Sequence, residues 1–420
     1  MRSIRVRALL AVVSVLPMMF GAGGGYAAAS PFSVPGVIDA VVPPPAGDIR
    51  HLIMPSPSGD SFFDTTPNNI GALTNGQLIR TRKVIAHTNV QFGPNVRHVL
   101  QLKFRTNDSH GKPTFGTATA IIPKGQLAQR GILVNNVPIN SLGRQCTPGY
   151  KIAHGEIETG QYTPPITVMG NTANYVVLIP DHEGPTMAYG EPIMGGHVVL
   201  DAVKALRNAY PALAESRFAM RGYSGGSIVT YGATTLMSEY APSLVPQYAG
   251  ASLGGTPIDQ RLLTQSMPGV LNWAKGLFWA GTAGIARQNL DLLQYANNAT
   301  RWVMTSPLKD MCSSALTPLG VLPIPPEWVV NVQHPFSMPA AQALYGRLNL
   351  NHRPSAGPLY VYNGEQEFWI QAQAARNFVR DQRALGVSVT YVPVAGEHIT
   401  GELLGFGPAT AWLERQLAAP

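Results

Sequence analysis

The 420-residue sequence is poor in charge and in cysteine. Charged residues make up 13% of the chain, about half of the ~25% that is usual in soluble proteins. The two cysteines, Cys146 and Cys312, are too few for a small disulfide-rich scaffold. Hydrophobic residues make up 45%, which is enough for one large core, with or without a cap. The composition therefore excludes a disordered, fibrous or disulfide-dense protein.

Metal-binding patterns are also missing from the sequence. It has no H-E-x-x-H motif and no cluster of cysteine and histidine at the spacing of a zinc site. We therefore expect neither a metal ion nor another cofactor.

A long apolar run occurs only near the N-terminus. Residues 1–7 contain three arginines, residues 8–20 are apolar, and residues 27–29 are alanines, the pattern of a secretory signal. The run is shorter than the ~20 residues of a spanning helix; a membrane anchor is the alternative. We therefore predict a signal peptide cleaved after Ala29, and a secreted, extracellular protein without a membrane span.

The predicted cleavage also changes the charge and the redox environment. It removes three arginines and no acidic residue, which lowers the formal net charge from +7 to +4, and we expect no nucleic-acid partner. In an oxidising compartment an even number of cysteines usually forms disulfides. Cys146 and Cys312 are therefore expected to pair; two buried thiols are the alternative.

The mature chain begins with a segment rich in proline and glycine. Residues 30–70 carry three consecutive prolines, and we expect an extended segment that wraps the surface. Alternating β-branched runs follow at residues 78–87, 97–104 and 115–122. Separated by Gly, Pro and Asn turns, they predict antiparallel strands at one edge of a sheet.

From residue 131 onward, apolar runs alternate with helical patterns. The runs lack strict alternation, which is typical of parallel strands buried on both faces. They comprise residues 131–137, 175–180, 218–222, 247–252, 358–363 and 387–394. The helical patterns comprise residues 197–209, 227–240, 370–385 and 402–417. This order predicts an α/β fold with a mainly parallel central sheet.

Residues 257–350 interrupt the alternation. This stretch is helical in pattern, punctuated by proline, and too long for an ordinary connection. We expect an inserted, mostly helical cap or lid, so that the core comprises residues 71–256 and 351–420.

Two pentapeptides match G-x-S-x-G, one around Ser224 and one around Ser252. In a catalytic motif of this kind the serine lies at a strained turn from strand to helix, where its Oγ stays exposed. Ser224 follows an apolar strand and precedes an amphipathic helical pattern, whereas Ser252 is followed by Gly254-Gly255-Thr256-Pro257, which disfavours a helix. We therefore predict that Ser224 is a nucleophile and Ser252 a loop residue near the site. For Ser224, a turn that merely needs glycine is the alternative.

A nucleophilic serine needs a histidine as base and a carboxylate that orients the histidine. With a serine in this turn, the chain order is serine, acid, histidine. Of the histidines after Ser224, His334 falls in the insertion and His352 in the approach to a strand. His398 follows the last predicted strand in a short loop with Gly396. The position predicts His398 as the base.

The acid is expected just after the preceding strand, which ends at residue 363. Glu365 and Glu367 both lie there, and we favour Glu367, with Glu365 as the alternative. Glu397 adjoins His398, but neighbouring side chains diverge, so we expect it to orient the histidine at most.

Together these motifs resemble the secretory lipase family, the lipase A-like α/β-hydrolases. The resemblance covers most of the mature chain and rests on four motifs in the family's order. They are the elbow Gly222-Tyr223-Ser224-Gly225-Gly226, the turn Asp181-His182-Glu183-Gly184, the Gly-rich loop at residues 250–257, and the histidine loop Glu397-His398-Ile399-Thr400. The fold implied by the resemblance is the α/β-hydrolase fold, with Ser224, His398 and the carboxylate at 367 as a catalytic triad. Family members usually have Asp where this chain has Glu367.

The resemblance has further implications for the site. It implies an oxyanion hole formed by the N–H of Gly225 and by Asn140, which stands where the family has Asp before a serine. Cys146 and Cys312 are similar in position to a family disulfide that joins the core to the cap.

The activity implied is hydrolysis of carboxylic esters, often acylglycerols, under an apolar lid. Apolar side chains that an acyl chain would contact occur in the insertion, and an ordinary buried helix interface is the alternative for them. They are Met267, Trp273, Phe278 and Trp279. We predict a secreted lipase or carboxylesterase that forms an acyl-enzyme on ester or lipid substrates and contacts a lipid interface through the cap. Another serine hydrolase (a short-chain, phenolic or polysaccharide esterase, or a peptidase) and a non-catalytic binding protein on the same fold are the alternatives.

Overall fold

The computed structural model describes residues 34–84, 92, 95–156, 175–267, 272, 274–322 and 324–418. The predicted signal peptide and Trp273 lie outside these residues, as does the end of the first predicted strand at 85–87. In the part of the chain that is described, no helix combines the length and the apolar composition needed to cross a membrane.

Nine strands form one mixed sheet in the spatial order β1-β2-β3-β5-β4-β6-β7-β8-β9. The strands are β1 (Leu78–Val84), β2 (Val96–Asn107), β3 (Pro113–Pro123), β4 (Ile132–Asn136), β5 (Val176–Pro180), β6 (Phe218–Tyr223), β7 (Tyr248–Gly254), β8 (Leu359–Gly364) and β9 (Val389–Val394). The pairs from β1 to β5 along this order are antiparallel and the remaining pairs are parallel. The predicted antiparallel edge and mainly parallel sheet are confirmed.

Helices cover both faces of the sheet. In chain order they are α1 (Val34–Val41), α2 (Ile49–Leu52), α3 (Ser61–Asp64), α4 (Pro148–Ala153), α5 (Pro192–Ala209), α6 (Gly225–Tyr240), α7 (Gln260–Ser266), α8 (Lys275–Gln288), α9 (Asn298–Thr305), α10 (Ser313–Leu316), α11 (Pro339–Leu348), α12 (Ala372–Ala384) and α13 (His398–Ala418). Apolar residues of α5, α6 and α12 pack in the core on one face, and those of α4 and α13 on the other. Strands β4 to β8 are therefore buried along their whole length, which explains why their sequences are mostly apolar and lack strict alternation.

The parallel register brings the carboxyl ends of the central strands to one edge. Gly222 pairs with Leu253 and Tyr223 with Gly254, while β8 ends beside β9. The loops that follow β6, β7, β8 and β9 therefore meet at the same edge of the sheet, where open α/β sheets bind ligands.

The segment at residues 30–70 differs from the prediction of an extended chain. Its described part contains α1 and the short helices α2 and α3. Asp48 accepts a hydrogen bond from the N–H of Arg50, and Asp60 from that of Phe62, so each aspartate caps the helix after it. Phe62 and Phe63 are buried, and this burial favours a folded segment over an extended one.

The predicted insertion at 257–350 contains α7 to α11 and no strand of the sheet in its described residues. It is tied to the loop after β4 by the disulfide Cys146–Cys312, which confirms the predicted bond. Beside the disulfide, the N–H of Leu142 donates to the carbonyl of Met311, and the N–H of Ser313 donates to Oγ of Ser141, each at 3.0 Å. This part of the insertion is therefore bound closely to the core.

Candidate active site

Ser224 occupies a strained turn between β6 and α6. Its backbone has φ 51° and ψ −123°, a conformation that is sparsely populated by residues other than glycine. The N–H of Ser224 donates to the carbonyl of Gly254 at 2.9 Å, which fixes the turn against the end of β7. The side chain is not buried among its neighbours, so its Oγ is presented to the edge of the sheet, as the sequence context predicts.

The glycines on either side of Ser224 are required by close packing. A β-carbon on Gly222 would lie 2.2 Å from the carbonyl oxygen of Gly226, and one on Gly226 would lie 1.9 Å from that of Asn136. Any larger residue would therefore push the turn off β4 or open the start of α6.

His398 and Glu367 complete a hydrogen-bonded row with Ser224. Nε2 of His398 lies 2.9 Å from Oγ of Ser224, and Nδ1 lies 2.8 Å from Oε2 of Glu367. The side chains of His398 and Glu367 are 6% and 0% exposed. An ionised carboxylate has no proton to donate, so in that state of Glu367 the donor is Nδ1–H. Nε2 is then left to accept the serine proton.

The other acidic residues near His398 have different partners. Glu365 is exposed and pairs with Arg376 at 3.2 Å. Glu397 accepts the N–H groups of Ile399 and Thr400 at 3.0 Å each, so it caps α13, and these hydrogen bonds lower the pKa of its carboxyl. Of the two candidate acids, it is Glu367 that contacts His398.

Two aromatic residues that sequence reasoning missed hold the ring of His398. The indole of Trp369 stacks on it with a centroid distance of 4.8 Å and an interplanar angle of 30°. The hydroxyl of Tyr223 donates to the carbonyl of His398 at 2.5 Å. Trp369 follows Glu367 by two residues, and its N–H donates to Oε1 of Glu367 at 3.3 Å. An aromatic residue beside the expected acid was the signal that could have indicated it.

Asn140 and Gly225 lie together beside Ser224. Asn140 has φ 50° and is 7% exposed, and a β-carbon on Gly225 would lie 1.8 Å from its Oδ1. The backbone N–H of Asn140 interacts with the carboxyl of Glu183 and opposes the rise of its pKa. The side-chain amide of Asn140 lies against Gly225. The role of Asn140 in the oxyanion hole, through its backbone N–H or through this amide, stays a prediction.

The turn Asp181-His182-Glu183-Gly184 is buried behind Asn140. Burial raises the pKa of Asp181 to about 7, although Thr117 and the N–H of Gly149 donate to its carboxyl. Burial lowers the pKa of His182 to about 4, against a hydrogen bond to the carbonyl of Val137. These side chains are bound inside the protein and do not line the site.

An apolar cavity opens beside Ser224, and its interior and open mouth together comprise about 610 Å³. Its walls come from the start of α6, from α7 and α8 of the insertion, and from the loop after β8. Lining residues include Ile228, Leu263, Met267, Phe278, Ile285 and Trp369. Of the predicted pocket residues, Phe278 and Met267 line the cavity, Trp279 is half-buried outside the lining, and Trp273 lies outside the described residues.

Ser252 differs from its prediction as a loop residue. It lies within β7 and is fully buried, because the strand continues two residues further than its sequence suggests. Tyr223 and His398 instead pack on Gly255, where a β-carbon would lie 2.8 Å and 3.0 Å from their rings. The second Gly-rich loop therefore supports the turn at Ser224, and Ser252 is enclosed in the sheet.

Solved structures of known proteins share this architecture. The crystal structure of Candida antarctica lipase A in its closed state superposes with a TM-score of 0.75, at 24% identity, over 87% of each chain. The rice cell wall degrading esterase LipA from Xanthomonas oryzae superposes with a TM-score of 0.60, at 14% identity, over 82% of this chain and 97% of the esterase. The protein has the α/β-hydrolase fold, as its sequence predicts.

The sequence itself is similar to known lipases. The family profile described as Secretory lipase matches residues 165–321. Lipase A of Moesziomyces aphidis is 28% identical over 407 residues, which are 90% of this chain and 84% of that protein. A secreted triacylglycerol lipase, LIP6 of Malassezia globosa, is 32% identical over 55% of this chain, and the match spans 41% of that lipase. The resemblance to the secretory lipase family is confirmed.

Proposed function

We propose that the protein is a secreted carboxylic ester hydrolase of the lipase type, which cleaves esters through an acyl-enzyme on Ser224. The observation that carries the proposal is the row from Ser224 through His398 to Glu367 at a strained elbow, beside an apolar cavity. Each of its two hydrogen bonds is shorter than 3 Å. The fold alone would not support a function, because the same fold carries many activities.

In the first step, Oγ of Ser224 attacks the ester carbonyl carbon while its proton passes to Nε2 of His398. The new Oγ–C bond leaves the negative charge on the former carbonyl oxygen. Glu367 accepts the hydrogen bond from Nδ1–H and stabilises the imidazolium that forms. When the C–O bond to the alcohol breaks, the leaving oxygen takes the proton from Nε2, and the acyl group stays on Ser224.

Two donors can stabilise the oxyanion. The N–H of Gly225 begins α6, where the helix dipole also favours negative charge. The amide of Asn140 lies against Gly225, and a half-turn about its terminal torsion, which is broad and roughly two-fold, directs Nδ2 to the same point. We assign Asn140 to the oxyanion hole through this side chain.

In the second step, His398 takes a proton from water as the water oxygen attacks the acyl carbon. The tetrahedral intermediate then collapses, the bond to Oγ breaks, and Ser224 recovers its proton from Nε2. No step needs a cofactor.

The cavity supports esters with an apolar acyl group as substrates. Its walls are aliphatic and aromatic side chains next to Ser224, and such a lining binds the apolar part of a ligand. The triacylglycerol named for the Malassezia globosa lipase is the substrate class that we propose here. The esterase of Xanthomonas oryzae has a similar fold, so an esterase of cell-wall or other short-chain substrates is the second candidate.

We also propose that the protein acts outside the cell and meets lipid through the insertion. Several relatives are named secreted lipases, in agreement with a signal peptide cleaved after Ala29. Large apolar side chains of the insertion are exposed, an arrangement suited to contact with a lipid surface. They are Trp302, Val303, Leu308, Val321, Leu322 and Ile324.

A chain-length series of p-nitrophenyl esters on the purified mature protein tests the proposal. We expect hydrolysis of long acyl esters, and the variant Ser224→Ala should lose several decades of kcat and all labelling by a fluorophosphonate. Ser252→Ala is the matched control, since its hydroxyl is enclosed in β7. Activity on acetyl esters alone would contradict the lipid substrate, and unchanged turnover in Ser224→Ala would contradict the mechanism.

A further inference from the structure

Glu183 lies directly behind the turn that carries Asn140. Its side chain is buried, and Oε1 accepts the N–H of Ser141 at 3.4 Å. The N–H of Asn140 also interacts with this carboxyl and opposes the rise of its pKa. Its other oxygen, Oε2, has no hydrogen-bond partner among the described residues. Glu183 thus interacts with two consecutive backbone N–H groups and accepts a hydrogen bond from the second, that of Ser141.

These two N–H groups belong to a turn that needs support. Asn140 has φ 50°, which costs on the order of 1 kcal/mol or more for a residue other than glycine. The turn has further anchors, because Oγ of Ser141 donates to the carbonyl of Ile139 and accepts the N–H of Ser313, and the N–H of Leu142 donates to the carbonyl of Met311. Among the described residues, Glu183 is the side chain that interacts with the N–H groups of both Asn140 and Ser141.

A shift of this turn would move the groups proposed to bind the oxyanion. The amide of Asn140 lies against Gly225, with no room for a β-carbon between them. The two groups proposed to bind the oxyanion are therefore in direct contact, and their relative position depends on the backbone at Asn140. Displacements of ~1 Å in such a site can cost ~100-fold in rate.

We infer that Glu183 is a positioning residue that fixes the oxyanion hole, by holding the backbone at Asn140 and Ser141 so that the Asn140 amide faces the substrate. The inference rests on the proposed function. It predicts that the length of the side chain and its acceptor oxygen matter, and that its charge does not. Burial, which raises the pKa of this carboxyl far above its usual range, agrees with a neutral acceptor; the donors Ser141 and Asn140 and the cation Arg287 oppose that shift.

Three substitutions separate these properties. Glu183→Gln keeps the length and one carbonyl oxygen without charge, Glu183→Asp keeps the carboxyl but withdraws it by one methylene, and Glu183→Leu removes the acceptor. On a long-chain ester, we expect the kcat of Glu183→Gln to stay within about threefold of wild type. The kcat of Glu183→Asp should fall by about tenfold. That of Glu183→Leu should fall by about 100-fold, which approaches the effect of removing an oxyanion donor. KM should change by less than about threefold in each.

Asp181→Asn is the matched control. Asp181 is a buried carboxyl in the same turn, but its partners are Thr117 and Gly149, so its loss should alter the melting temperature without altering kcat. Inhibition by an alkylboronic acid, whose adduct needs the oxyanion hole, should weaken in parallel with kcat in the Glu183 variants. Binding of a long-chain alcohol, which fills the cavity alone, should stay unchanged.

Each outcome decides the inference. The inference would be overturned if Glu183→Asp were more active than Glu183→Gln, or if Glu183→Asp and Glu183→Leu both kept the full kcat. It would also be overturned if Asp181→Asn lost as much kcat as the Glu183 variants. Where the Leu variant does not fold, the order of Gln and Asp still decides. If the wild type and Ser224→Ala hydrolyse the ester equally, it is the proposed function that has failed.

Discussion

The acid at position 367 offers the sharpest test of the site. In Glu367→Gln, the group facing Nδ1 of His398 becomes an amide. If its N–H₂ faces the ring, Nδ1 must accept and the proton moves to Nε2, which then cannot take the proton of Ser224. The corresponding exchange of aspartate for asparagine in a serine protease triad lowers kcat by ~10⁴-fold, equivalent to ~5.5 kcal/mol at 1.36 kcal/mol for each decade.

The burial of Glu367 indicates that kcat will fall by a comparable factor in Glu367→Gln. Its side chain is 0% exposed, so water cannot readily replace the lost acceptor. We expect a fall in kcat of ~10³ to 10⁴-fold with little change in KM. Glu367→Asp should be milder, because one methylene withdraws the oxygen by ~1.5 Å, and misplacement by that distance costs on the order of 100-fold.

The assay is steady-state hydrolysis of a p-nitrophenyl ester, with circular dichroism to show that each variant is folded. Glu365→Gln provides the control, because Glu365 lies two residues away and pairs with Arg376 on the surface. Its kcat should stay within about twofold of wild type. Loss of activity in Glu365→Gln together with an active Glu367→Gln would refute the reasoning, because the orienting acid would then be Glu365.

Three further predictions concern packing and stability. Trp369→Ala removes the ring stacked on His398 and should lower kcat by about tenfold, or ~1.4 kcal/mol, whereas Trp369→Phe should keep most of it; equal rates in ester kinetics would exclude a role for the stacking. Reduction of the disulfide, which spans 166 residues, should lower the free energy of unfolding by ~5 kcal/mol, and a denaturant midpoint unchanged by reductant would contradict this. Burial raises the pKa of Asp181 to about 7, so between about pH 4 and pH 7 the folded protein keeps a proton that the unfolded chain releases. The stabilisation of the fold by this group is therefore complete below about pH 4 and is lost as the pH rises to about 7. Melting temperatures measured across this window should show a flatter slope in Asp181→Asn.

The pattern of strands could be predicted from the sequence because burial on both faces leaves a clear mark. β4 and β5 are mostly apolar runs, and their sequence alone located them within one residue. The start of α5 was harder to predict than these strands. Gly195 and Gly196 lower helix propensity, but a β-carbon on Gly195 would lie 2.2 Å from Val229 of α6. The glycines serve close helix packing, which is a tertiary effect that local sequence does not reveal.

The same distinction applies to the candidate site. Ser224, His398 and Glu367 could be predicted because each follows a strand whose end lies at one edge of a parallel sheet. Trp369 stood beside the expected acid, but its stacking, like the role proposed for Glu183, depends on contacts with residues distant in sequence, namely His398 and Asn140. Ser252 was wrongly predicted to lie in a loop, because glycine can end a strand or begin a loop. The sequence alone does not show which of the two Gly254 does.

The disulfide beside the oxyanion turn also bears on where the protein can work. A domain is typically stable by 5 to 15 kcal/mol, so a bond worth ~5 kcal/mol amounts to a large share of that margin. Under reducing conditions Cys146 and Cys312 would remain thiols. The turn that carries Asn140 would then be joined to the insertion by hydrogen bonds and by the packing of Leu142 on Ala280 and Leu316. We therefore expect the fold to have a wider margin of stability in an oxidising compartment than in a reducing one.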